Sequence, residues 1–235
     1  MFTLFVSIAI VVWVAPSTAG AQARPTVSPA TQPEDDPRFG LGLYFDALRK
    51  GDEAAAYACW FDDISSDEEQ RKYIADLVHH RVVEMIADCQ LQKELALHLP
   101  DIYRQAQKSG GAPPEPSKLS SAQFTVYRRL AVIKWGDDED DGFPMVLDNT
   151  DRAHKVWKIS MQQWHETTRS SVGDSMLLSG WSAKATDMTT KDVRDGKIRT
   201  LEALSEAFLR HMSDLANAEE AEANHGPSTA PAAKH

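Results

Sequence analysis

Residues 124–161 read FTVYRRLAVIKW, GDDEDDG, FPMVLD, NTDRAH and KVWKISM in succession, and this stretch decides the fold class. Its first, third and fifth blocks are rich in β-branched, aromatic and other apolar residues, the composition that suits a pleated, half-buried surface. Phe143, Met145 and Leu147 alternate with their neighbours, as do Trp157, Ile159 and Met161, so each block predicts a strand with one buried face. Phe124 to Trp135 has strand character without strict alternation, as expected of a strand covered on both faces or bulged. The acidic run up to Gly142 and the polar run from Asn149 to Ala153 form the connections.

Upstream of this stretch the pattern is helical. Leu41, Tyr44, Phe45 and Leu48 recur at helical spacing, and Gly51 is a natural stop, which predicts a helix over Leu41–Lys50. Asp52 can cap a second helix with Ala55, Ala56, Cys59 and Trp60 on its apolar side. Ser66 and Glu69 have capping-box spacing for a third helix running to about Leu97. Its apolar stripe comprises Ile74, Leu77, Val78, Val82, Met85, Ile86 and Cys89. Asp76, His80, Glu84 and Asp88 follow one another at intervals of four on a different face, which is expected to be solvated. Pro100 ends the third helix, and residues 110–116 make a loop. Beyond Trp164 the sequence is mixed and polar as far as Gly196, with anchors at Met176, Leu177, Leu178 and Trp181. Ile198, Leu201, Leu204, Phe208, Met212 and Leu215 then form the stripe of a last amphipathic helix.

The fold class expected is α+β, with N-terminal helices packed on a strongly curved antiparallel sheet and a C-terminal helical extension. A chain of 235 residues, 42% hydrophobic and 26% charged, suits one soluble domain with extensions. Residues 1–23 hold no acidic or basic side chain, and their apolar run is short for a bilayer span. Together with Ala21-Gln22-Ala23 they read as a signal peptide cut before Arg24, which leaves no stable membrane span; the competing reading is an uncleaved anchor. Residues 24–37 form a Pro-rich linker, 38–164 the domain, 165–220 the extension and 221–235 a disordered tail. The protein is thus expected to be exported, to the periplasm, the cell envelope or the medium.

A formal charge of −10 argues against nucleic acid and against anionic membranes as partners. Cys59 and Cys89, in an exported chain, either pair as a disulfide or pack as buried thiols.

The segment Tyr44-Phe45-Asp46-Ala47-Leu48-Arg49-Lys50-Gly51-Asp52, the Ala-rich helix after it, and the pair Phe143–Leu147 and Val156–Ile159 resemble the nuclear transport factor 2-like superfamily over roughly residues 39–164. The resemblance implies helices lying across a bent antiparallel sheet to form a cone-shaped pocket. It implies no single activity: some members are isomerases or cyclases that use a pocket carboxylate as base, others bind without chemistry. No residue here matches a diagnostic catalytic motif of those enzymes, so no catalytic residue and no cofactor is assigned. The departures are a long connection between Pro100 and Ala122 and some 70 residues after the presumed last strand.

The pocket candidates are Tyr57, Trp60, Tyr73, Tyr127 and Trp157, which can project between helices and sheet. Arg128 and Arg129, adjacent in a strand, would point to opposite faces, so that one, taken as Arg128, faces inward and requires an acidic partner or an anionic ligand. His80 and Glu84 have metal-ligand spacing but share a face with Asp76 and Asp88, so no metal is assigned. Residues 137–142 superficially match a calcium loop, yet Glu139 and Asp148 depart from the pattern and a solvated hairpin tip is expected instead. The partner expected is a small apolar or anionic ligand or a protein, with a homodimer among the options. The function expected is a non-catalytic ligand-binding or protein-interaction module; the rival is a small-molecule isomerase, cyclase or dehydratase using a pocket carboxylate, and a further alternative gives the last helix an interface role.

Overall fold

The computed structural model describes residues 36–65, 67–108, 116–134, 142–150, 155–168 and 171–225. The expected signal peptide, nearly all of the expected linker, the acidic run at 137–141 and the last ten residues of the expected tail lie outside them.

Helix α1 (Pro37–Lys50) begins where Asp36 accepts a hydrogen bond from the Arg38 amide at 2.8 Å, with Pro37 in the first turn. It ends at Gly51, whose φ of 70° is the left-handed conformation a helix stop requires. Asp52 caps α2 (Glu53–Ala58) by accepting from the Ala55 amide at 3.0 Å. Trp60 does not continue that helix. With Phe61 it forms β1 (Trp60–Phe61), a two-residue strand that composition does not reveal.

The long helix α3 (Glu68–His98) is capped by Asp67, which accepts from the Gln70 amide at 2.9 Å; Ser66, expected to cap it with Glu69, lies outside the described residues. Both residue types cap well, and Asp67 adds a negative charge at the positive end of the helix dipole. Two short helices, α4 (Pro100–Lys108) and α5 (Pro116–Ser121), lead to the strands β2 (Gln123–Tyr127), β3 (Leu130–Lys134), β4 (Gly142–Asp148) and β5 (Val156–Ser160). Residues 124–134 are therefore a hairpin and not one bulged strand. The chain reverses at Arg128–Arg129, where Arg128 takes a φ of 57°, and a two-residue hairpin turn needs positive φ at its first central residue.

The strand order is β1-β5-β4-β3-β2, an open sheet with β1 and β2 as its edges. Strands β2 to β5 are antiparallel, as expected, but the sheet is mixed because β1 runs parallel to β5, pairing Trp60 with Ile159. Parallel partners cannot be joined by a tight turn, and here the connection spans α3 and the whole hairpin system.

Helices α1 to α3 cover one face of this sheet around Leu41, Tyr44, Phe45, Leu48, Trp60, Ile74, Leu77, Val78 and Val82, with Ala131, Ile133, Met145, Trp157 and Ile159 from the strands. The approach is close: a Cβ on Gly40 would overlap the carbonyl oxygen of Trp157. Only glycine lets α1 lie directly on β5.

After the sheet come α6 (Met161–Thr168), α7 (Ser171–Ser179), α8 (Trp181–Arg194) and α9 (Leu201–His225). The stretch that reads as mixed and polar is thus helical in its described parts, and α9 continues to His225, beyond the start of the expected tail. The C-terminal helices build a second core on the far half of α3, from Leu95, Ile102, Val193, Ile198, Leu204 and Ala207. The chain is α+β in the order helices, sheet, helices, with α3 shared between two apolar clusters.

Candidate functional site

The six residues singled out as pocket candidates do not converge. Trp60 and Trp157 are buried in the main core. Trp60 stands edge-on to Tyr44 at 5.8 Å and to Trp164 at 5.3 Å, and Phe143 packs edge-on to Phe45 at 5.8 Å. Tyr57 is half-buried on α2 with its ring 6.1 Å from that of His79. Tyr73, on the exposed side of α3, donates to Asp174 of α7 at 2.9 Å. Tyr127 and Arg128 lie at the opposite edge of the sheet, in the hairpin.

Arg128 does not face inward, because it sits in the turn and not in a strand. Its guanidinium lies 5.5 Å from the centre of the Tyr127 ring. Arg129 is bound to β4, where its Nη2 donates to the Leu147 carbonyl at 2.8 Å and its own carbonyl accepts from the Leu147 amide at 2.8 Å. Neither geometry buries a guanidinium that would demand an anionic ligand.

The acidic face of α3 is not solvated along its length. Its later part is covered by α8, so that Ser182 donates to Glu84 at 2.7 Å and Arg81 Nη1 donates to the same carboxylate at 2.5 Å. Burial, reinforced by the nearby Glu84 charge, pushes the Asp88 carboxyl up to about 7, against the attraction of Arg81. The Tyr44 hydroxyl, which donates to Met85 Sδ at 3.4 Å, is raised by burial. His80 rests against the Gly180 backbone at the α7–α8 junction. Among the described residues, no group of three or more His, Cys, Asp or Glu is placed to hold a metal ion. Within that set Cys59 and Cys89 are free thiols packed against the main core, and burial raises both, Cys89 to about 11. Thiols so raised stay protonated and unreactive near neutrality.

A second buried polar cluster joins α8 to α9. Asp192 receives Lys197 Nζ at 2.7 Å and lies 2.9 Å from His211 Nε2, and these partners hold its carboxyl below the ordinary range, Lys197 contributing most. Among the described residues His211 Nδ1 is buried without a hydrogen-bond partner, as is Trp60 Nε1. Sequence reasoning missed this cluster because Asp192 and His211 belong to different helices with no shared period.

The hairpin is the most unusual surface of the molecule. All residues of β2 are exposed, including Phe124 at 38%, Val126 at 46% and Tyr127 at 69%, and Leu130 and Val132 of β3 add to the apolar area. β2 carries no charged side chain. Among the described residues its outer backbone is equally without a partner. The bond from the Leu147 amide to the Arg129 carbonyl fixes the alternation of the ladder: Ala131 and Ile133 bond toward β4, while Leu130, Val132 and Lys134 bond toward β2. Their partners Tyr127, Thr125 and Gln123 turn inward, and the N–H and C=O groups of Phe124 and Val126 point off the sheet. Among the described residues the cover at this edge is Arg38, stacked 4.9 Å from the Phe124 ring centre and donating to the Ser120 carbonyl at 3.0 Å. The signal available in the sequence was the uncharged run before Arg128; what concealed its meaning was the unseen turn.

Among the described residues no helix is long and apolar enough to cross a membrane. No protein-family model matches the chain, and no match is found among curated proteins or among solved structures.

Proposed function

We propose that this chain is an exported, non-catalytic interaction module that receives a protein partner on the free edge of the β2–β3 hairpin. The observation that carries the reading is an edge strand with every residue exposed, no charge, and outward backbone groups at Phe124 and Val126. Edge strands are normally blunted by Lys, Pro, bulges or a covering segment, because an open one is a template for another strand. Adding a strand to such an edge is a recurring mode of peptide recognition.

Two further features support binding without chemistry. The space between α1 and the sheet is filled by mutually packed rings, with Tyr44, Phe45 and Trp60 among them. The carboxyl with the raised proton affinity, Asp88, lies in the polar cluster that α8 covers, where Arg81, Glu84 and Ser182 give that cluster a role in helix packing. The resemblance to the nuclear transport factor 2-like superfamily fits the order of N-terminal helices followed by an antiparallel ladder. Export rests on the leader-like residues 1–23.

The test is selection of displayed random peptides on the immobilised protein, run in parallel on Val126→Pro. Proline at 126 deletes an outward N–H while sparing the inward bonds to β3. Extended apolar peptides that bind the native chain at least ten-fold better than the variant are expected. Binders indifferent to the substitution, or none, overturn the proposal.

A further inference from the structure

We infer that the strand received at this edge is β2 of a second copy of the chain, paired antiparallel about a two-fold axis through Thr125. The inference rests on the interaction reading above and names its partner. The register follows from the backbone. Phe124 and Val126 carry the outward groups, and they are symmetric about Thr125. In an antiparallel pair centred there, Phe124 of each copy stands opposite Val126 of the other as a hydrogen-bonded pair. Every outward N–H and C=O of the strand then finds a partner, and a shift of one residue would leave them all unmatched.

Side chains agree with this register. Phe124 and Val126 lie on the same face of β2 as the buried Ile133 and Ala131 lie on β3, so the cross-copy Phe–Val pairs extend the main core from one copy into the next. The arrangement also separates like charges. Each basic turn, Arg128–Arg129, falls at the far end of the junction from the other and beside Ala122, where Arg38 is already neutralised by Asp36 at 2.6 Å. A parallel pairing would put the two basic turns side by side.

The size of the junction sets its strength. One short strand and its flanking side chains cover a few hundred Å2 per copy, below the ~800 Å2 per partner of stable complexes. A reversible dimer with a dissociation constant of about 10–100 μM is expected.

Sedimentation velocity on the protein in its natural processed form, from about 1 to about 300 μM, tests this. The native chain is expected to shift from monomer to dimer. Phe124→Glu and Val126→Lys are each expected to weaken dimerisation at least ten-fold, because each sets one charge against an apolar side chain. The double variant Phe124→Glu/Val126→Lys is expected to recover it, since this register places the introduced carboxylate of one copy opposite the introduced ammonium of the other. Thermal melts confirm that each variant is folded; Val126→Pro replaces any single variant that is not. A native chain monomeric throughout, a dimer indifferent to the single variants, or a double variant without recovery overturns the inference. A monomer that still selects peptides through β2 sinks this inference alone, whereas loss of both sinks the interaction reading too.

Discussion

His211 Nε2 lies 2.9 Å from Asp192 Oδ2, and this buried contact ties the last helix to the one before it. Lys197, in the turn between them, donates to the other oxygen of the same carboxylate at 2.7 Å. Hydrogen bonds to charged groups contribute more than neutral ones, so Asp192→Asn is expected to cost about 1–3 kcal/mol. Hydrogen exchange should localise the loss to α9. The acid response follows from the depressed carboxyl. The unfolded chain takes up this proton at higher pH than the folded one, so the contribution is complete above the ordinary carboxylate range and vanishes as pH falls through the lower, folded value. Melting temperature below about pH 4 should therefore fall more steeply in the native protein than in the variant.

Asp88 responds in the opposite direction. Its carboxyl, pushed up to about 7 by burial and by Glu84, keeps its proton in the folded state where the unfolded chain has released it. Stability attributable to Asp88 is thus full below about pH 4, declines toward pH 7, and stays low above. Asp88→Asn is expected to match the native protein near pH 4 and to exceed it at pH 8 by on the order of 1–3 kcal/mol, measured by urea unfolding.

Gly40→Ala should be among the most damaging small substitutions, because the added methyl meets the Trp157 carbonyl, a backbone atom of β5 that cannot rotate away. A loss of roughly 2–3 kcal/mol is expected from overpacking. Tryptophan fluorescence should report the displacement of α1 from β5.

Arg128 carries the strain of the hairpin at φ 57°. Glycine adopts this conformation freely but has more freedom to lose, so Arg128→Gly is expected to stabilise by no more than about 1 kcal/mol and Arg128→Val to destabilise by about 1–2 kcal/mol. Paired chemical denaturation curves would check both.

The parts of the fold that were legible are those with local causes. Gly51 and Asp52 announce a helix stop and a helix start within two residues, and the structure uses both that way. The strand composition of 124–159 is equally local. The hairpin turn was hidden because arginines occupy positions where Asn or Gly would have signalled it. Helix α8 was hidden because it buries Ala183, Ala185, Thr186, Thr189 and Thr190, small or hydroxylated residues that leave no apolar period. Thr189 and Thr190 satisfy their hydroxyls on the carbonyls one turn back, which makes such burial cheap. With α8 unseen, the acidic face of α3 had nothing to cover it. The candidate residues were misjudged for a related reason: Trp60 and Trp157 are aromatic because the core is, and their neighbours come from far along the chain.

The pairing of Trp60 with Ile159, sealed by the Ile159 amide on the Cys59 carbonyl at 2.8 Å, has a consequence for biogenesis. A ribosome delivers these partners about a hundred residues apart, so α1, α2 and Trp60 must wait, solvent-exposed, until β5 has been synthesised. The nascent first half is thus an unfinished object, open to chaperones until β5 emerges.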